Sequence, residues 1–451
     1  MGTNGSSVPP DYREQHWSRE IDKLFTSTKI SDQLDFSPDF LIPLIFENDL
    51  NKPPIYAFIS RDGEFLALSH ILPEIPCQAQ LHNTEIISVC EFSKNSFLVV
   101  TNKNIVYLVS YENDKFCFRD FQIQNPRLAA KIDESSFLVA TTNSSVYLIR
   151  FSPNNNCNHN STIDNNISEN NNSCETNSND INNENLSNDC GSNIVNNNSI
   201  ENNQDEIVLL FDSEYPSLPV CLIFQYNIIA LSTESGLLIG KLETDSKHAF
   251  YQIYSNVNHL VFLNLFPQSP FLYLYCVSAD TKKILGLKIN SDLAIADPKD
   301  VFTSHVSITD LQNITNTNTL IFCGGKDIHS YTPDFIRPQL HVSIQNDKNI
   351  ISLLQMHEPK IFVAICIDGT IVVCRHPEFT RADPKKGEIE VVTLFNYHKS
   401  KPFLKCAADD FSFLTFDENH VPILWESFPD WWSAPYYLRM FDDNNNELPQ
   451  Q

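Results

Sequence analysis

Eight times along this 451-residue chain a short apolar run meets a turn of Gly, Asp, Asn or Ser and is followed by a second apolar run. The hairpins occupy residues 55–68 (IYAFISRDGEFLAL), 97–108 (FLVVTNKNIVYL), 137–148 (FLVATTNSSVYL), 228–239 (IIALSTESGLLI), 271–287 (FLYLYCVSADTKKILGL), 320–331 (LIFCGGKDIHSY), 361–374 (IFVAICIDGTIVVC) and 413–425 (FLTFDENHVPILW). Their starts lie 42, 40, 91, 43, 49, 41 and 52 residues apart; the one wide gap holds an Asn-rich stretch, 152–204, and without those 53 residues it shrinks to 38. The period is unbroken. One small sheet cannot bury both of its faces until it stacks between neighbours, so an array with this period closes into a ring. The fold class expected is all-β, a single β-propeller of seven or eight blades over residues 35–441.

Further apolar runs fill out each unit. Inner strands are expected at 40–46, 86–92, 128–132, 220–224, 260–266, 351–356 and 403–407, and outer strands at 116–123, 207–212, 250–254, 340–344 and 389–395. Val, Ile, Phe, Tyr and Thr fill them because branched and aromatic side chains pack well on a pleated surface buried on both faces. At the hairpin tips, Asp62-Gly63, Ser235-Gly236, Gly324-Gly325 and Asp368-Gly369 supply residues that tolerate positive φ, as tight turns demand. Only 11 glycines occur in the chain, so their placement at four of eight tips supports the hairpin reading.

Ahead of the ring, residues 1–34 read as a disordered segment and a short amphipathic helix over 12–25. Asp11 and Glu14 form a capping box there, and Trp17, Ile21, Leu24 and Phe25 share one face. The stretch 152–204 is almost wholly Asn, Ser, Asp, Glu and Ile without an aromatic residue, which predicts a disordered acidic insert. Residues 442–451 read as a disordered tail.

The net charge of -25 argues against nucleic acid or an anionic membrane as partner, since both require clustered Lys and Arg. Between Phe151 and Gly240 there is no Lys or Arg, while twelve carboxylates fall there. Protein partners that are neutral or basic are expected. No apolar run approaches the roughly 18 residues needed to cross a bilayer, so no membrane insertion is expected, and the first residues lack the apolar core of a secretory signal. Cys90, Cys221, Cys276, Cys366 and Cys374 lie inside apolar strand runs, as expected of reduced thiols. An intracellular protein, cytoplasmic or nuclear, follows from this reading.

The stretch 82–108 (HNTEIISVCEFSKNSFLVVTNKNIVYL) resembles the WD40 repeat family in its order of a His, an inner strand ending in Phe-Ser, a second strand, a turn and a third strand. Trp425-Glu426 stands where that family places its Trp-Asp pair. No Trp-Asp or Gly-His dipeptide occurs, so the family's His/Asp/Trp network is not carried over. Units such as 220–240 and 350–374 also resemble the regulator-of-chromosome-condensation repeat family, which would imply a propeller acting on a small GTPase.

Chemical motifs are wanting. There is no GxxxxGK, GxGxxG or GxSxG, and Cys366, Cys374 and His376 lie along one hairpin with apolar neighbours and no fourth ligand in sequence. No catalytic residue, metal or cofactor is therefore expected. The one unusual cluster is aromatic: Trp425, Phe428, Trp431, Trp432, Tyr436, Tyr437 and Phe441 fall within 17 residues. Trp431, Trp432, Tyr436 and Tyr437 are candidate interaction residues; alternatively, residues 436–441 supply the outer strand that closes the ring, with the segment 25–40 the candidate for pairing from the other chain end. The function expected is that of a non-catalytic scaffold or adaptor.

Overall fold

The computed structural model describes residues 25–29, 34, 37–44, 55–69, 77–152, 205–212, 217–242, 249–254, 260–268, 271–278, 280–295, 299–313, 320–331, 339–343, 349–355, 361–375, 390–396, 402–407, 412–417 and 421–427. They form eight four-stranded antiparallel sheets. Seven are continuous in sequence and span residues 40–80, 86–122, 126–211, 219–254, 260–303, 308–343 and 350–396; they are numbered here as blades 1 to 7. Within each, the strands run in order from the inner to the outer edge.

Blade 8 is assembled from both ends of the chain. Its inner three strands are Pro402–Ala407, Ser412–Asp417 and Pro422–Ser427, and its outer strand is Phe25–Lys29, which pairs antiparallel with Pro422–Ser427 from Phe25 opposite Ser427 to Lys29 opposite Ile423. The expectation that residues 436–441 supply this strand is thereby corrected. A partner drawn from the other end of the chain binds first blade to last, so neither edge of the array is left open.

Eight apolar clusters sit between the blades, one at each junction. Ile42, Ile59 and Phe65 meet Phe97, Val109 and Phe118 between blades 1 and 2. At the closing junction Tyr56, Phe58 and Leu66 of blade 1 pack on Leu414, Phe416 and Leu424 of blade 8. The second strand of each blade is sandwiched on both faces, so Ile55–Ile59, Ser96–Thr101, Ser136–Thr141, Ile228–Thr233 and Leu320–Gly324 are buried at every position. This explains why these strands read as continuous apolar runs without alternation. Each fully buried large apolar side chain contributes about 1.5–3 kcal/mol.

The inner strands share a device. A register shift admits one extra residue at their second position in seven blades: Ile87, Arg127, Val220, Val261, Thr309, Ile351 and Phe403. Such bulges bend a strand and sharpen its twist, as the crowded centre of a ring requires. Side chains near them tie one blade to the next. Ser88 donates to the carbonyl of Arg127 (3.0 Å) and Thr309 to that of Ile350 (2.9 Å), while the buried Asp310 carboxylate accepts from the Leu353 amide (2.8 Å).

Residue 25, the last residue of the expected helix, lies in a strand. The remainder of that helix, residues 153–204 of the insert, and the tail 442–451 lie outside the described residues.

Candidate interaction surface

Among the described residues, the turns between strands fall at two opposite ends of the ring. At one end, the linker end, the tips joining second to third strands meet the segments that run from one blade to the next. Backbone hydrogen bonds stitch them together. The Ile86 amide donates to Arg61 (2.7 Å), that of Ile308 to Thr281 (2.6 Å) and that of Ile350 to Gly325 (2.6 Å), each joining the start of one blade to the tip of the blade before. In the complementary sense, tip amides donate to the preceding segment: Asn102 to Glu85 (3.0 Å), Thr142 to Asn125 (2.9 Å), Glu234 to Leu218 (3.1 Å) and Ile367 to Asn349 (2.8 Å).

These bonds fix polar side chains in place. Asp39 accepts from the Arg61 amide (2.7 Å), Asn102 from the Glu85 amide (3.1 Å) and Asn104 from the Asn125 amide (2.8 Å). Asn104 and Ser144 adopt φ of 61° and 66°, in the left-handed region their short polar side chains tolerate. Gly63 adopts φ of 87° and lies so close to the next segment that a Cβ there would stand 2.6 Å from the Leu81 carbonyl oxygen. The linker end is thus a rigid rim, with Arg61, Asp62, His82, Glu85 and Lys103 exposed upon it.

At the opposite end lie the turns from inner to second and from third to outer strands, and here blade 3 emits the acidic insert. Its two flanks are held by a single side chain. Arg119, in the outer strand Lys115–Gln122 of blade 2, donates to the Ser152 carbonyl (2.7 Å) and to the Asp205 carboxylate. The guanidinium lies over the rings of Phe151 (4.9 Å) and Phe121 (5.5 Å). Arg150 pairs with Glu206 (3.1 Å) one step further along. Around this base, Asp133 caps the neighbouring turn; burial works against its charged form, but the Ser135 amide and the Ser135 and Ser136 hydroxyls outweigh that and hold its pKa below the usual carboxylate value.

Of the residues singled out in the sequence, Trp431, Trp432, Tyr436 and Tyr437 lie outside the described residues. Trp425 belongs to the core: it is 3% exposed, stacks on Phe413 and donates its indole N–H to Thr415 (2.9 Å). Cys366 is buried in the cluster between blades 6 and 7. Cys77, Cys90, Cys117, Cys221, Cys276, Cys323 and Cys366 are free thiols, and burial pushes Cys90 up to about 11. His329 stacks on Phe322 (5.1 Å) beside Phe302 (4.9 Å), and burial lowers its pKa. Among the described residues no three His, Cys, Asp or Glu side chains are grouped to hold a metal ion, and no helix is long and apolar enough to cross a membrane.

Sequence reasoning missed the Arg119 clamp. Its only sequence signal is that Arg119 stands among apolar residues of a strand, while its partner lies 86 residues away.

The fold and its two rims define a β-propeller whose first strand completes its last blade. No protein-family model matches the chain, and the search of curated proteins gives no match. Among solved structures, the chain is similar to the crystal structure of BamB from Moraxella catarrhalis, at 12% identity over 90% of this chain and 98% of that one, with a TM-score of 0.48.

Proposed function

We propose that this protein is a non-catalytic interaction platform, an adaptor subunit that holds neutral or basic protein partners inside the cell. The observation that carries the reading is the Arg119 clamp at the base of the insert. It ties a segment with seven carboxylates and no Lys or Arg to one end of a rigid ring. An acidic segment anchored at its two flanks draws cationic surfaces from solution and speeds their encounter. The buried free thiols suit a reducing compartment, cytoplasmic or nuclear. The protein belongs, in this reading, with diverged WD40-like propellers: Trp425 stands in the third strand of its blade and is bonded to the second strand through Thr415.

Affinity capture of the full chain from its own cells, followed by mass spectrometry, tests the reading. Reproducible co-purification of protein subunits, weakened as salt is raised, is expected. Capture of nucleic acid in their place, or a set of partners unchanged when residues 154–203 are deleted, overturns it.

A further inference from the structure

We infer that the mouth of the ring's central axis at the linker end binds the C-terminal residues of a partner protein, aliphatic side chains followed by a free carboxylate, and that Arg127 receives the carboxylate. The inference rests on the platform reading and names the chemistry of one of its partners.

The inner-strand bulges set one residue per blade at the start of the strand, beside the linker end, where the inner strands surround the axis. Ile87, Arg127, Val220, Thr309 and Ile351 hold this position in blades 2, 3, 4, 6 and 7, and all five are half-buried. Neighbouring blades cover both faces of an inner strand, so what stays uncovered here borders the axis or the rim. Ile87 and Ile351 pack partly on the apolar clusters toward the next blade, and Thr309 bonds the Ile350 carbonyl of the next blade (2.9 Å). Arg127 is the one charged residue among the seven bulge positions.

Its guanidinium breaks the pattern of the other arginines. Arg61, Arg119 and Arg150 each face a carboxylate, that of Asp39, Asp205 and Glu206. Among the described residues Arg127 has no carboxylate partner, in a chain whose net charge is -25. The carboxylate that lies next to a bulge, Asp310 of blade 6, is buried and accepts from the amides of Leu311 (2.8 Å) and Leu353 (2.8 Å).

Charge and enclosure select the occupant. A guanidinium holds a carboxylate through two parallel charge-assisted bonds, and partial burial strengthens the pair. One cation among aliphatic side chains matches one anion on an apolar body, and the charge of the whole chain repels a ligand that carries many anions. A closed ring surrounds its axis, so a chain end enters directly where a continuing chain would have to double back. A C-terminal tail with aliphatic last residues meets all three conditions.

The test uses the full chain and three acetylated peptides, GSTVIV, GSTLLL and GSTFLF, each as the free acid and as the C-terminal amide, with octanoate as a small amphiphile. Calorimetry should show binding of at least one free acid that weakens about tenfold or more in its amide and in Arg127→Gln, and less in Arg127→Lys. Arg61→Gln, on the same rim but away from the axis, should bind as the native chain does, and circular dichroism melts check that each variant keeps the fold. Equal binding of acid and amide, full binding by a folded Arg127→Gln, or no binding of any free acid overturns the inference. Octanoate bound as tightly as the best free acid also overturns it, because the mouth then serves small amphiphiles. Capture from cells separates the two readings: partners retained in full by Arg127→Gln but lost on deletion of 154–203 leave the platform standing and remove the Arg127 site, while peptide binding without any cellular partner does the reverse.

Discussion

Arg119 of blade 2 holds Asp205 of blade 3 across 86 residues of chain, and the same guanidinium holds the Ser152 carbonyl at the opposite flank of the insert. The side chains of Arg119 and Asp205 are 14% and 30% exposed, so the pair is partly shielded and its hydrogen bonds are charge-assisted. Blades 2 and 3 are thereby joined at their rim, outside the apolar cluster that joins them nearer the centre. A loop of any length is tolerated at low entropic cost when its two ends are fixed side by side, since closure cost rises only with the logarithm of length.

Replacing Arg119 with Ala removes this clamp together with the guanidinium's contacts on Phe121 and Phe151. Destabilisation of about 1–3 kcal/mol is expected, between the values for exposed and for buried pairs. Arg119→Lys should recover only part of it, because an ammonium cannot serve both acceptors with a planar fork. Urea denaturation of the two variants beside the native chain measures the difference; equal midpoints would show that the clamp is dispensable.

The hairpins were legible because their middle strands are buried on both faces and must be apolar throughout, which is why residues 97–108 and 137–148 announce themselves. Strands with other duties stayed silent. The inner strand of blade 6, Ile308–Asn313, reads ITDLQN because Thr309, Asp310 and Gln312 bond the backbone of blade 7. The outer strand Cys77–Gln80 (CQAQ) lies at a blade edge, where polar side chains serve as well as apolar ones. Phe25 could be read on a helical face because Trp17, Ile21, Leu24 and Phe25 fit that period, and only pairing with Ser427 at the far end of the chain decides for strand. The clamp was hidden for the same reason: nothing local marks Asp205 as the partner of Arg119.

Gly63→Ala should be costly. The residue adopts φ of 87°, and the added methyl would meet the Leu81 carbonyl oxygen at 2.6 Å, a backbone atom fixed by the stitching of the linker end. A loss of about 1–3 kcal/mol is expected from the backbone conformation alone. Gly236→Ala, at a tip where φ is not positive, serves as control. A thermal melt in which the two variants coincide would refute the assignment of strain to Gly63.

Thiol chemistry should separate the cysteines. Burial pushes Cys90 up to about 11, so at pH 8 its reactive thiolate is far rarer than that of an ordinary exposed thiol. Cys276, fully buried, is shifted in the same direction by the same cause. Iodoacetamide applied to the folded protein at pH 8 should leave both unmodified at times when the same two thiols are labelled in the urea-unfolded chain. Peptide mapping reads the order; rapid labelling of Cys90 would show that the junction between blades 2 and 3 opens in solution.

Ring closure yields the sharpest prediction. Phe25–Lys29 covers the strand Pro422–Ser427, whose Ile423, Leu424 and Trp425 are buried. Deleting residues 1–29 strips the outer strand from blade 8 and leaves Pro422–Ser427 as an open edge, while truncation after Ser427 leaves all eight sheets complete. The first deletion should lower the melting temperature, at about 1 °C per kcal/mol lost for a chain of 451 residues, and should promote association through the exposed edge. The second should change the melt little. If it also removes a cellular partner, Trp431, Trp432, Tyr436 and Tyr437 become the first residues to probe. A folded, monomeric protein from the first deletion, with aggregation from the second, would reverse the assignment and make the C-terminal aromatics the closing element.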